Sequence, residues 1–136
     1  MAVSLVVVSH SAKLAEGVVE LAGQMAQGKV AIAAAGGTAE GELGTSVEKI
    51  LAALQQVASP QGTLLLLDLG SAIMAAEIAV EQFSHEHGYR VTISSAPLVE
   101  GTVIAAVEAS IGSSLEEVAD AALNAITLPK LHNQDG

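Results

Sequence analysis

The sequence has 136 residues with 15 acidic and 5 basic side chains, a formal net charge of −10 and no cysteine. A chain of this length forms one domain, and its few basic groups, one Phe and one Tyr exclude nucleic-acid binding, which needs phosphate neutralisation and base stacking. The absence of cysteine removes disulfide and thiolate chemistry and favours a cytoplasmic protein, and no apolar run approaches the roughly 18 residues of a membrane span.

Short apolar runs alternate with helical patterns along the chain. Runs at 3–8, 30–34, 63–68 and 90–94 predict four strands that are buried on both faces. The first run lacks the basic flank of a signal peptide, so we expect it to belong to the mature protein. Apolar side chains at helical spacing predict four inward stripes: Leu14, Val18, Leu21 and Met25; Val47, Ile50, Leu51, Leu54 and Val57; Ile73, Ala76, Val80 and Phe83; and Leu115, Val118, Ala122 and Ile126.

Local signals predict where several helices begin. Two Ser/Thr–x–x–Glu capping boxes place helix starts at Thr45 and Ser114. Proline and glycine predict a loop over 97–101, followed by a short helix over 102–111. Strands that alternate with helices predict an α/β fold, a doubly wound and mainly parallel four-stranded sheet with helices on both faces.

We assign residues 1–127 to this domain and residues 128–136 to a polar C-terminal tail. Ligands of such sheets bind at the carboxyl ends of the strands, where small polar residues and one histidine occur here. We expect the following residues to meet at one edge of the sheet: Ser9, His10 and Ser11 after the first strand; Gly36, Gly37 and Thr38 after the second; Asp68, Gly70 and Ser71 after the third; and Ser95 after the fourth.

His10 and Asp68 form the pair with the clearest chemical meaning. A carboxylate that binds one imidazole nitrogen fixes the tautomer and leaves the other nitrogen as a nucleophile. Asp68 can equally be a carboxylate that is stabilised by the N-terminus of the next helix, and spacing does not decide between these interpretations. Only Lys13 of the basic residues is predicted near this edge, so we expect backbone N–H groups and helix N-termini to hold a bound anion.

The glycine turns at 36–37 and 70–71 are consistent with backbone cradles for an anion, although such turns are common in α/β folds. No nucleotide-binding fingerprint or nucleophile elbow is present, and one histidine with one carboxylate does not predict a metal site. The residues therefore favour a histidine that carries a phosphoryl group. A non-catalytic anion-binding regulatory domain fits the same pattern, and a hydrolase that uses Ser9 or Ser11 with His10 fits it less well because neighbouring side chains on a strand point apart.

The strand-end segments together resemble the mannose-type enzyme IIA domains of the bacterial phosphotransferase system. Within that family, they are most similar to the phosphotransferase subunits of phosphoenolpyruvate-dependent dihydroxyacetone kinases. The matching segments are residues 6–11, 34–38, 43–46, 67–72 and 96–101.

The resemblance implies that His10 is phosphorylated by phospho-HPr and passes the group to ADP on the ADP-binding subunit of dihydroxyacetone kinase. It implies that Asp68 orients His10. We expect no cofactor and no metal. A sugar-specific enzyme IIA component of a mannose-type transporter is the alternative within the family. The family resemblance places eight residues around the phosphate: Ser9, Ser11, Gly36, Gly37, Thr38, Gly70, Ser71 and Ala72.

The resemblance also implies a homodimer. Some relatives exchange a C-terminal antiparallel strand between subunits, and here only residues 126–131 could supply a short edge strand, which Pro129 restricts. In some relatives, HPr-like and enzyme I-like domains are fused to this domain on the same chain. Here the sequence ends at 136, so we expect those functions on separate proteins.

Overall fold

The computed structural model describes residues 2–131 and has a parallel sheet at its centre. Its strands are β1 (Ser4–Ser9), β2 (Ile32–Gly36), β3 (Thr63–Leu67) and β4 (Val91–Ser94). They pair in the order β2-β1-β3-β4, all in parallel, so all four carboxyl ends lie at the same edge. The predicted α/β class and four-stranded sheet are confirmed.

Five α-helices cover the sheet in the described part of the chain. They are α1 (Ala12–Met25), α2 (Val47–Gln56), α3 (Ile73–His87), α4 (Leu98–Ser110) and α5 (Leu115–Leu123), with 3-10 turns at Gly70–Ala72 and Asn124–Thr127. Helices α1, α4 and α5 pack together on one face, and α2 packs with α3 on the other.

The central strand β1 is buried along its whole length, as its continuous apolar pattern predicted. Successive side chains of a strand point to opposite faces. Accordingly, Leu5 and Leu64 join the core cluster beneath α1, α4 and α5, whereas Val6 and Leu65 join the cluster beneath α2 and α3. Each cluster fixes one layer of helices, and the sheet between them aligns the strand ends.

The predicted inner stripe of α1 is wrong in three of its four positions. Ala15, Val18 and Ala22 face the core, while Leu14, Leu21 and Met25 remain about half exposed. Small alanine side chains allow the helix backbone to approach the sheet and α4 closely, and tertiary packing therefore overrides the larger apolar stripe. Ile73, the first residue of the third predicted stripe, and Ile126, the last residue of the fourth, are also exposed.

The predicted loop over 97–101 is wrong, because α4 begins at Leu98 with Pro97 as its N-cap. Gly101 lies inside this helix, where a Cβ atom would stand 2.7 Å from the Cβ of Ala96 and 3.4 Å from Leu66. The glycine therefore permits close helix–sheet packing rather than a turn. The N-cap of α2 is Ser46 rather than Thr45, whereas the capping box at Ser114 is present as predicted.

No strand follows β4 in residues 2–131, since residues 124–127 form a 3-10 helix where the exchanged edge strand was possible. Residues 132–136 of the predicted tail lie outside the described residues. Within the described range, no helix is long and apolar enough to cross a membrane.

Candidate functional site

The candidate site lies where the chain changes direction within the sheet. From β1 the chain crosses to β2 on one side, and it later enters β3 on the other side of β1. In open parallel sheets, this switch point leaves a crevice at the strand ends that is suited to ligands. His10 follows β1 and Asp68 follows β3, the strand paired directly with it, so the two side chains meet as predicted.

Four donors surround the carboxylate of Asp68 in the described structure, two on each oxygen. Oδ1 lies 3.0 Å from Nδ1 of His10 and accepts the backbone N–H of Leu69 at 2.7 Å. Oδ2 accepts the backbone N–H of His10 at 2.9 Å and the hydroxyl of Ser9 at 2.9 Å. The backbone N–H of Asp68 in turn donates to Val8 O at 3.1 Å.

Burial alone would raise the pKa of Asp68, but the hydrogen bonds from the His10 amide and ring, Ser9 and Leu69 outweigh it and hold the pKa below its usual value. Asp68 is therefore ionised at neutral pH and accepts hydrogen bonds only. In the neutral imidazole, Nδ1 of His10 therefore carries the proton and Nε2 carries the lone pair. The Asp68 side chain caps neither the 3-10 turn at Gly70–Ala72 nor α3, and its Oδ1 contacts the His10 ring and the Leu69 amide. These contacts favour the interpretation of Asp68 as the partner of His10 over that of a helix N-terminal carboxylate.

Ser71 stands on the other side of the imidazole. Its Oγ lies 2.9 Å from Nε2 of His10, and the lone pair on Nε2 requires the hydroxyl to be the donor. Ser71 belongs to the 3-10 turn that leads into α3, and the backbone N–H groups of Gly70 and Ser71 have no partner among residues 2–131. The side chain of Ala72 is fully buried and its N–H donates to Leu69 O at 3.0 Å, so it is engaged inside the turn.

The hydroxyls of Ser9 and Ser11 are both engaged in local hydrogen bonds. The Ser9 side chain is fully buried and binds Asp68, and its Oγ accepts the N–H of Ser11 at 3.0 Å. Ser11 caps α1, where its Oγ accepts the N–H of Leu14 at 3.2 Å. Neither hydroxyl touches the imidazole of His10, unlike Ser71.

The turn after β2 packs against the start of α1 and the end of β1. A Cβ atom at Gly36 would stand 2.5 Å from Ser11 O and 2.7 Å from Ala12 Cα, so glycine allows the start of α1 to lie against the strand end. Gly37 N–H donates to Ser9 O at 3.2 Å, and Thr38 N–H donates to Glu42 O at 2.9 Å. These two amides are already engaged, and the predicted backbone cradle is available at Gly70 and Ser71 instead.

The remaining residues at this edge include one cation that sequence reasoning missed. Nζ of Lys49, in the first turn of α2, donates to Gly36 O at 3.0 Å. The signal was available, because a helix that follows β2 must begin at the same edge. Lys13 is exposed. Arg90 lies at the opposite end of the sheet, as predicted, and it pairs there with Glu116. The end of β4 contributes Ser95 and its neighbours to a cavity of about 350 Å³ beside Asp68.

Comparison with known proteins places this geometry in a family. The sequence model of the mannose-type enzyme IIA family, described as the fructose IIA component of the phosphotransferase system, matches residues 4–119. The chain belongs to the mannose-type enzyme IIA family. It is 41% identical over 127 residues to DhaM of Escherichia coli K12, which is the phosphoryl donor subunit of a PEP-dependent dihydroxyacetone kinase. The alignment covers 91% of this chain and 27% of that protein.

Shorter enzyme IIA relatives match over most of their own length. A Listeria innocua DhaM, the phosphoryl donor subunit of its PEP-dependent dihydroxyacetone kinase 2, is 38% identical over 85% of this chain and 93% of the relative. This chain thus spans about a quarter of the first curated relatives and nearly all of others.

Solved structures agree with the enzyme IIA fold. A crystal structure of a protein of unknown function is 31% identical, with a TM-score of 0.79 over 91% of this chain and 95% of the other. The EIIA component of the phosphotransferase system from Streptococcus agalactiae, at 15% identity, shares the fold with a TM-score of 0.65 over 90% of this chain and 91% of the other.

Proposed function

We propose that this chain is a phosphohistidine carrier of a phosphoenolpyruvate-dependent dihydroxyacetone kinase. Nε2 of His10 takes the phosphoryl group from phospho-HPr, so that the N–P bond on HPr breaks as the N–P bond on His10 forms. The group then passes to ADP on the ADP-binding subunit of the kinase, and the resulting ATP phosphorylates dihydroxyacetone on a third subunit. The chain itself needs neither a cofactor nor a metal for this transfer.

The observation that carries the proposal is the orientation of His10. Asp68 accepts a hydrogen bond from Nδ1–H, and Nε2, which lies 2.9 Å from Ser71 Oγ, keeps the lone pair of the neutral imidazole. As phosphorus approaches along that lone pair, positive charge develops on the imidazole and the ionised Asp68 stabilises it. The match to the enzyme IIA family and the DhaM relatives, which are phosphoryl donor subunits, support the same role.

Phosphoryl transfer depends mainly on positioning and on donors for the three peripheral oxygens. The Ser71 hydroxyl must leave Nε2 when phosphorus arrives, and it can then donate to a phosphoryl oxygen. The free N–H groups of Gly70 and Ser71 provide two further donors at the start of α3. We assign Ser9, Ser11, Gly36, Gly37, Thr38 and Ala72 the supporting role of holding this arrangement in place.

Intact mass spectrometry after incubation with phosphoenolpyruvate, enzyme I and HPr tests the carrier. We expect one acid-labile phosphoryl adduct, and we expect His10→Ala to remove it. An unmodified wild-type chain, under conditions that phosphorylate a control enzyme IIA domain, would contradict the proposal. The acceptor is tested next, because transfer to the ADP-bound kinase subunit supports the kinase and transfer only to a sugar-specific transporter component supports the alternative.

We further propose that the chain acts as a cytoplasmic homodimer, as the family resemblance implies. Leu14, Leu21 and Met25 leave a half-exposed apolar stripe on α1, and such surfaces mark contacts between proteins. Sedimentation equilibrium should give the mass of a dimer, and a monomer at every concentration would contradict it.

A serine hydrolase is the second candidate, and one observation favours it. Ser71, His10 and Asp68 stand in the order of nucleophile, base and orienting carboxylate, with the distances 2.9 Å and 3.0 Å between them. This replaces the Ser9 or Ser11 nucleophile that the sequence left open. A fluorophosphonate probe separates the candidates, because labelling that is lost in Ser71→Ala would support a hydrolase, and an unlabelled chain that accepts phosphate on His10 would exclude it.

A further inference from the structure

The residue before His10 carries a hydroxyl that does not reach the surface. Ser9 ends β1, and its exposed fraction is 0%, so it cannot touch a phosphoryl donor or acceptor. Its Oγ nevertheless donates to Oδ2 of Asp68 at 2.9 Å. We propose that Ser9 is a positioning residue that holds the Asp68 carboxylate and, through it, the imidazole of His10. The link to transfer rests on the proposed function of His10.

Ser9 differs from the other donors to Asp68 because it can be removed alone. In the part of the chain that the structure describes, the other three donors are the His10 amide, the His10 ring and the Leu69 amide. No substitution deletes these without changing the histidine or the backbone. Substitution of Ser9 removes one of the two donors to Oδ2 and leaves both donors to Oδ1.

The direction of the Ser9 hydroxyl is set by the first turn of the next helix. Oγ accepts the N–H of Ser11 at 3.0 Å, on the N-cap of α1. Because that hydrogen approaches one lone pair of Oγ, the hydroxyl proton is left to point toward Asp68. The start of α1 thus orients Ser9, Ser9 orients Asp68, and Asp68 orients His10.

Loss of the Ser9 donor has two consequences for the carboxylate. Oδ2 is then held only by the His10 amide, so the carboxyl plane turns more freely about its bond to Cβ. The negative charge also loses one stabilising hydrogen bond, so protonation becomes easier. Phosphorylation of His10 should slow by roughly ten- to a hundredfold, which is the cost of losing the hydrogen-bond partners of metal-bound histidines.

The decisive measurement is the titration of the Asp68 carboxyl carbon by NMR in the unphosphorylated chain. We expect Ser9→Ala and Ser9→Cys to move its midpoint to higher pH, because an alanine has no donor and a thiol is a weak one. Ser9→Thr keeps a hydroxyl and should restore the wild-type midpoint and phosphorylation rate.

Ser59 supplies a matched control. It is 1% exposed, donates to Ala2 O at 2.8 Å and accepts the N–H of Gln61 at 3.1 Å, the same local pattern as Ser9. Its hydroxyl lies before β3, at the opposite end of the sheet from Asp68. We expect Ser59→Ala to lower thermal stability by an amount similar to Ser9→Ala and to leave the Asp68 titration unchanged.

An unchanged Asp68 midpoint in folded Ser9→Ala and Ser9→Cys would overturn the proposal, as would an equal change in Ser59→Ala. This titration requires neither HPr nor kinase. If His10 accepts phosphate but the midpoint stays fixed, the role of Ser9 is refuted and the carrier remains. If the Asp68 midpoint moves in the Ser9 variants but His10 of the wild-type chain accepts no phosphate, the carrier is refuted and the control of Asp68 by Ser9 remains.

Discussion

Replacement of Asp68 by asparagine keeps the shape of the side chain and removes its charge. Asparagine offers one acceptor oxygen and one NH2 donor, whereas all four groups around Asp68 are donors in the native structure. With its oxygen at Oδ1, the NH2 faces the fixed N–H of His10. With its oxygen at Oδ2, the NH2 faces the fixed N–H of Leu69 and the Nδ1 of His10.

Either orientation leaves one backbone N–H opposite another donor, which costs about 1–3 kcal/mol of folding stability. The second orientation has a further effect on chemistry. Nδ1 must then become an acceptor, so the imidazole proton moves to Nε2 and the nucleophilic lone pair is lost. We expect Asp68→Asn to slow phosphoryl transfer by about 10³- to 10⁴-fold, because the same change of the orienting carboxylate in a Ser-His-Asp site costs about 10⁴.

Rapid-quench measurement of transfer from phospho-HPr tests this prediction, with Glu77→Gln as the control for loss of an exposed carboxylate on α3. Nitrogen-15 NMR of His10 should show the proton on Nδ1 in the wild type and a population with the proton on Nε2 in Asp68→Asn. Transfer at the wild-type rate by a folded Asp68→Asn chain would refute the orienting role of the carboxylate.

The same variant gives a pH dependence whose sign follows from the lowered pKa of Asp68. Burial opposes this lowering, and the hydrogen bonds from His10, Ser9 and Leu69 produce it. The stabilisation is fully present above the ordinary pKa of an unfolded aspartate and is lost as pH falls through the lower folded value. The stability difference between wild type and Asp68→Asn, measured by urea unfolding, should therefore be largest near neutral pH and shrink in acid. A difference that grows in acid would contradict the assignment.

Three further predictions concern other parts of the site. Gly36→Ala should destabilise the fold by about 2–4 kcal/mol, because the added Cβ would lie 2.5 Å and 2.7 Å from backbone atoms. The control Gly17→Ala lies in open space on α1 and should raise the melting temperature slightly. Ser71→Ala should slow phosphorylation by about tenfold or more in the same quench assay, since it removes a donor to the phosphoryl oxygens, and an unchanged rate would leave the amides as the donors. Association with the phosphoryl donor should weaken as salt rises, because a chain of net charge −10 favours a basic partner face, and salt-independent binding in calorimetry would contradict that.

The helices show where local pattern and tertiary packing diverge. The stripe through Leu14, Leu21 and Met25 has helical spacing, and the helix is present, but alanines occupy its buried side. Periodicity reports that a segment is helical, whereas the face that packs depends on how closely its neighbours approach. Gly101 illustrates the same point, since its glycine predicts a loop but instead allows α4 to lie against Ala96 and Leu66.

Sequence patterns were enough to predict the order of strands and helices, the parallel sheet and the edge where His10 and Asp68 meet. Apolar periodicity and strand-end chemistry are local properties of the chain. The donors that hold the carboxylate, and with them the tautomer of the neutral imidazole, depend on the folded structure. Apart from the bond from the neighbouring Leu69 amide, those hydrogen bonds join residues 58 to 61 positions apart, so they exist only when the paired strands bring their ends together.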